Sequence, residues 1–261
     1  MATATRKSPK KKSKTPARKA GKRLGKRDVV AKLTPEMMRT IDALGDNWMV
    51  RTDNDGKSYS GFEWNGVGVW TEAPDWNAAA CCGYGLHGQG PGGYGYWHDG
   101  TRFVFCETGK ERVTVEGNKV KVKRARILYV GAEAYLAMAY ACRGKWAGQL
   151  RILCTVALPS LKEVTGSVDV YQGATFTAPV LAEVTGSVDV YQGATFTAPV
   201  LAEVTGYVAV YQGATFTAPV LAKTGSVDVY QGATFTAPVL AKTGSVDVYS
   251  KGTLNAPKLK R

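Results

Sequence analysis

Histidine is almost missing from this chain, two residues in 261, and cysteine occurs only five times. An odd number of cysteines at irregular positions gives no disulfide framework, so the expected setting is reducing and intracellular. Long apolar runs are scarce as well. The best of them, Ile127 to Cys142, falls short of the roughly 18 residues a membrane helix needs and carries Glu133, so no membrane partner is expected. No apolar signal core follows the basic start, which argues against a secretion signal, although an acid-poor, Ser-containing start also suits a transit peptide.

Acidic residues are absent from Met1 to Arg27, which hold 12 of the 34 Lys and Arg and none of the 21 Asp and Glu. That one segment therefore carries 12 of the 13 net positive charges. It has too little apolar surface to offset the entropy of ordering, and residues 1–32 are expected to form a disordered basic tail. Lys10, Lys11, Lys12, Lys14, Arg18, Lys19, Lys22, Arg23, Lys26 and Arg27 are its candidate contacts to nucleic acid or another polyanion. Such contacts go to phosphates without reading sequence, and they weaken as salt rises.

Residues 33–151 read as an α+β domain. Thr34-Pro35-Glu36 opens a helix, and Met37, Met38, Ile41 and Leu44 follow at helical spacing before Gly45. Strand patterns are expected at Trp48 to Arg51, Tyr59 to Trp64, Val67 to Trp70, Phe103 to Cys106, Arg112 to Val115 and Lys119 to Val130. Asp55-Gly56, Asn65-Gly66 and Gly117-Asn118 supply the intervening turns. Ala132 to Cys142 predicts a second helix with Leu136 and Tyr140 on one face. The Gly-rich GLHGQGPGGYGYW is expected as a flexible surface loop with aromatic anchors, a possible binding edge.

Chemistry in this domain would centre on Cys82 and its neighbours. Cys82, His87, His98 and Cys106 are the only mixed zinc-ligand set from one neighbourhood, but C-x4-H-x10-H-x7-C lacks the close pairs that bring two ligands to one tetrahedral centre. Buried structural cysteines and a hydrogen-bonded histidine explain the same residues, so neither metal nor cofactor is expected. A nucleophile reading takes Cys82 or Cys81 as thiolate, His87 or His98 as base, and Asp99 or Glu107 as orienter. The glycines form no phosphate loop, because no lysine follows at the required place.

GFEW at Gly61 to Trp64, APDW at Ala73 to Trp76, CGYGLH at Cys82 to His87, FVFCE and KVKVKRARI together resemble an uncharacterised CGxGLH-type domain of phage and bacterial proteins. The resemblance covers about residues 48–131 and implies no activity. It does imply a phage or prophage origin, and hence a place in the host cytoplasm or in a virion.

Tandem repeats fill the remainder. YQGATFTAPVLA begins at Tyr171, Tyr191, Tyr211 and Tyr230, and marker glycines at 166, 186, 206, 225 and 244 stand 20, 20, 19 and 19 residues apart. This period predicts a β-solenoid of about five coils over residues 152–261. Alternation places the valines and phenylalanines inward, with Leu181 and Val184 completing the third side. Two ladders are expected outside. One holds Thr175, Thr177, Thr195, Thr197, Thr215, Thr217, Thr234 and Thr236; the other holds Asp169, Asp189 and Asp228. Loss of one residue where Glu-Val becomes Lys223 or Lys242 is expected in a connecting loop, and Lys251, Lys258, Lys260 and Arg261 should protect the final edge.

The coils resemble leucine-rich-like β-solenoid repeats of bacterial surface and phage proteins, arrays that present a surface to a partner. The expectation is a non-enzymatic structural or interaction protein with a protein partner on the solenoid. Two alternatives stand beside it: an enzymatic or toxin-like module at Cys82 and His87 with the solenoid as docking arm, and an ice-binding array built on the Thr-x-Thr ladders.

Overall fold

Thr34 caps the first helix as its place before Pro35 requires: its Oγ1 accepts from the Met37 amide at 3.1 Å. The computed structural model describes residues 31–58, 60–91, 100–115 and 119–259, so the expectations for the basic tail, for Gly117-Asn118 and for Lys260 and Arg261 lie outside the described residues. Helix α1 (Pro35–Leu44) buries Met37, Ile41 and Leu44 and stops at Gly45, whose φ is 55°.

Seven strands follow: β1 (Trp48–Asp53), β2 (Trp70–Glu72), β3 (Leu86–Gln89), β4 (Arg102–Thr108), β5 (Arg112–Thr114), β6 (Lys119–Val122) and β7 (Arg124–Val130). They form one antiparallel sheet in the order β2-β7-β4-β1-β3-β6-β5. Alternation along β1 and β4 sends Trp48, Val50, Phe103 and Phe105 into one apolar cluster and Met49, Val104 and Cys106 into another. Both faces of the central strands are therefore covered.

Three strand expectations change. Among their described residues, the runs expected at Tyr59 to Trp64 and Val67 to Trp70 supply only an isolated bridge between Glu63 and Lys57 and the first residue of β2. Asn65 explains this locally: its amide donates to the Thr71 hydroxyl at 2.9 Å and its side chain to the Trp70 carbonyl at 2.7 Å, replacing ladder bonds with side-chain bonds. The run from Lys119 to Val130 is broken at Lys123 into two strands. Leu86 to Gln89, expected within a surface loop, is a strand between β1 and β6. Gly88 permits that position, since a Cβ there would stand 2.7 Å from the Met49 sulfur and 2.8 Å from the Val50 carbonyl.

Helix α2 (Ala132–Ala141) buries every residue from Ala134 to Met138 and Ala139 besides, rather than a single face. It is enclosed because it lies between the sheet and the first coil of the solenoid. Phe103 stacks on Tyr135 at 4.0 Å, and the Tyr135 hydroxyl donates to the Arg151 carbonyl while accepting from the Leu153 amide at 3.0 Å. One apolar core runs without interruption from α1 through α2 to Leu240.

The solenoid has six coils. Lys145 pairs with Glu163, Leu150 with Val168 and Val156 with Phe176, so the first coil opens at Lys145, on the near side of the boundary expected at residue 152. Val168, Phe176, Leu181 and Val184 and their counterparts are fully buried through the middle coils. The marker glycines form a column of close backbone approaches. A Cβ on Gly166 would lie 2.3 Å from Gly148, and one on Gly186 2.5 Å from Gly166, so the stacked corner admits no side chain.

The first lost residue, at Lys223, falls inside a rung rather than in a loop, whereas Lys242 makes only an isolated bridge ahead of the strand that opens at Ser245. Glu203 pairs with Lys223, Val204 with Thr224, and Tyr207 with Ser226, so the register slips between Val204 and Tyr207. Thr224 thus takes an inward valine's place, and its buried hydroxyl donates to the Gly206 carbonyl at 3.1 Å. Among the described residues no helix is long and apolar enough to cross a membrane.

Candidate functional site

Strand β3 carries His87 and Gln89 into a cavity of about 420 Å³, which β1 and the segments around Phe62, Ala73 and Tyr84 also line. Cys82 lies on its exposed side, with Lys119 Nζ 3.6 Å from the thiol. Deeper in, the Arg51 guanidinium stacks over the Trp64 ring at 4.4 Å. Burial pulls the Arg51 pKa down from its ordinary value. Asp53, the acid that counters this, is already held by Arg102 through bonds of 2.8 and 2.9 Å.

His87 is neutral over the physiological range. Burial pulls its pKa down to about 4, the cations Lys119, Lys121 and Arg51 push the same way, and a hydrogen bond with the Gly85 backbone opposes them. Among the described residues, His87 Nε2, Trp64 Nε1 and both amide atoms of Gln89 are buried without a hydrogen-bond partner. Lys121 differs. Although fully buried, its ammonium donates to the carbonyls of Ala79 at 2.6 Å and Cys81 at 3.1 Å, and so pins the loop that carries Cys82.

The structure separates the other candidates. Cys106 is buried on β4 among apolar residues, and burial pushes its thiol up to about 12, which keeps it protonated. Glu107 is engaged by Arg126 at 2.6 Å rather than by a histidine. Cys81 is exposed, and His98 and Asp99 lie outside the described residues. Among the described residues no three His, Cys, Asp or Glu side chains gather as a metal site would require. Sequence reasoning passed over Arg51, Trp64 and Gln89. Arg51 does leave a mark, as a polar residue inside a strand-like run, whereas Gln89 lies in the Gly-rich segment expected as a loop.

On the solenoid the Thr-x-Thr rungs are in register: Thr175, Thr195, Thr215 and Thr234 form one line, and Thr177, Thr197, Thr217 and Thr236 the next. All eight are half-buried. The aspartate ladder departs from the expected open face, for Asp169 and Asp189 are only 5% and 6% exposed. Tyrosine side chains cover them. The rings of Tyr191, Tyr211, Tyr230 and Tyr249 stack at 4.7 to 5.1 Å, Tyr171 meets Tyr191 tilted at 5.4 Å, and Tyr211 donates to Asp189 at 3.3 Å.

Two unusual residues in the third full copy act together. Tyr207, where the other copies have Ser, donates to Asp189 at 3.1 Å, and Ala209 removes the carboxylate that would otherwise stand beside it. Asp169 receives a bond from the Gln149 amide and faces Arg151 across the rung. Burial and the Asp189 charge nevertheless push its pKa up to about 6.

No family model, curated protein or solved structure matches the chain.

Proposed function

We propose that the protein is a non-enzymatic docking scaffold, in which a short stiff solenoid presents repeated surface ladders from an α+β module and the basic residues 1–30 add contact to nucleic acid or another polyanion. The observation that carries this reading is the single core running from α1 to Leu240, which fixes the display surface rigidly to its base. The copies themselves contain no His or Cys, so their surface offers recognition rather than catalysis. The phage or prophage setting, in host cytoplasm or virion, belongs to the same proposal and rests on the resemblance of residues 48–131. So does the likeness to display repeats of bacterial surface and phage proteins.

Capture from a native lysate tests it, with the full chain compared against one lacking residues 1–30 at low and high salt. Polyanion capture should depend on the basic residues and fall steeply with salt. A protein partner of the ladders should be retained under both conditions. Deleting residues 186–205, one whole coil, should leave the fold intact and weaken that partner in proportion. Loss of all capture in a folded deletion would overturn the reading, because it would place recognition at one point.

One observation favours a second reading. The paired threonine lines lie in register on a six-stranded parallel sheet, a regular hydroxyl array of the kind that orders water. Ice recrystallisation with the full chain decides it, and growth unaffected at micromolar protein removes it.

A further inference from the structure

We propose that the cavity lined by Arg51, Trp64, His87 and Gln89 binds a small anionic heterocycle of the nucleoside monophosphate class. The argument starts from what is left unpartnered. Burying an amide or an indole N–H without a partner forfeits its hydrogen bonds to water with nothing in return, and burying a charge costs more. Four such atoms, on three side chains that line one cavity, belong to this site: Trp64 Nε1, His87 Nε2, and Gln89 Nε2 and Oε1. Native interiors rarely leave such groups clustered without a ligand or ordered water to meet them.

The donor set selects the ligand. Gln89 offers a donor and an acceptor on one planar group, the pairing that meets a nucleobase edge two bonds at a time. Trp64 adds a donor. Neutral His87 adds an acceptor, because its partner bond to the Gly85 backbone favours the protonated ring and so is a donation from the other nitrogen. Phe62 and Tyr84 supply apolar walls. Charge selects further: among the described residues Arg51 and Lys119 line the cavity against one acid, Asp75, and a guanidinium is the natural partner of a phosphate. A volume of about 420 Å³ is the size of a small-molecule site.

The test uses the full chain, with AMP, GMP, CMP and UMP as probes and adenosine and inorganic phosphate as half-ligands. Alkylation of the native thiols, followed residue by residue, needs no mutation. Cys82 lines the cavity and Cys81 beside it does not, though both are exposed. At about 1 mM, well above the dissociation constant of a modest site, at least one monophosphate should slow modification of Cys82 by about threefold or more and leave Cys81 unchanged. The half-ligands should protect less. By calorimetry, Arg51→Met should weaken that monophosphate about tenfold or more, and Gln89→Met should alter the ranking of the four bases. Nucleotide bound by the basic residues 1–30 persists in both variants, so the difference belongs to the cavity. Equal reactivity of Cys82 with and without every probe, or binding unchanged in both folded variants, would overturn the proposal and leave a hydrated cavity.

Discussion

Replacing Asp169 by Asn should stabilise the protein at pH 7.5 and leave it almost unchanged at pH 4. Asp169 stands between Arg151 and Asp189 on one ladder, is 5% exposed, and has its pKa raised from 3.8 to about 6 by burial and the Asp189 charge. Folding therefore takes up a proton at this carboxyl. The stability it gives is full below about pH 3.8 and is lost as pH rises through about 6. At 1.36 kcal/mol per pKa unit the loss reaches at most about 3 kcal/mol, with the pull of Arg151 already included, less what solvent screening removes. Asn keeps an oxygen for the Gln149 amide and carries no charge. Urea unfolding of D169N and wild type at both pH values measures the difference directly. A gain of about 1–3 kcal/mol confined to the higher pH is expected. An equal effect at both, or a loss at pH 7.5, would refute burial as the dominant influence and show that Arg151 outweighs it.

Ala209→Asp should close the gap in a run of five carboxylates, Asp169 to Asp247, and destabilise the protein at pH 7.5 by about 1–2 kcal/mol, since rungs stand about 4.8 Å apart; the cost should shrink at pH 4 in the same unfolding assay. Gly88→Ala should lower the melting temperature sharply, because the new methyl meets the Val50 carbonyl at 2.8 Å and backbone cannot turn aside as a side chain can. Phe216→Ala, in the middle of the buried stack at 4.9 to 5.0 Å from its neighbours, should cost about 3–5 kcal/mol by denaturant titration, whereas Thr215→Ser on the outer line should stay within about 0.5 kcal/mol.

Much of the fold was legible in the sequence. Thr34-Pro35 announced α1, and the alternation in Ala174-Thr175-Phe176-Thr177 announced both the inward phenylalanines and the outward threonines. The first coil was harder to see. It has no YQG corner and runs only 18 residues from Gly148 to Gly166, yet Gly148 belongs to the glycine column and Trp146, Leu150 and Ile152 point inward. Alternation tells which residues share a face but not what lies over that face. For this reason Asp169 and Asp189 were expected in solvent, when tyrosines from the same corner cover them. The cavity was less legible still. His87 and Cys82 stood out as reactive residue types, but Arg51, Trp64 and Gln89 meet them only through strand pairings between segments far apart in the chain, such as Val50 with Gln89.

Helix α2 closes one end of the stack, whereas the last rung, Thr253–Asn255, pairs on one side only among the described residues. A tension applied through the C-terminus would therefore meet the coils one at a time, each held by its own few rungs. Every coil that let go would release about 20 residues, some 70 Å of extended chain. The junction at Tyr135, held by ring stacking on Phe103 and by two hydrogen bonds to the first coil, carries the same load but would yield after the exposed last coil. Such a chain yields in steps, one coil at a time, and lengthens far before its base unfolds.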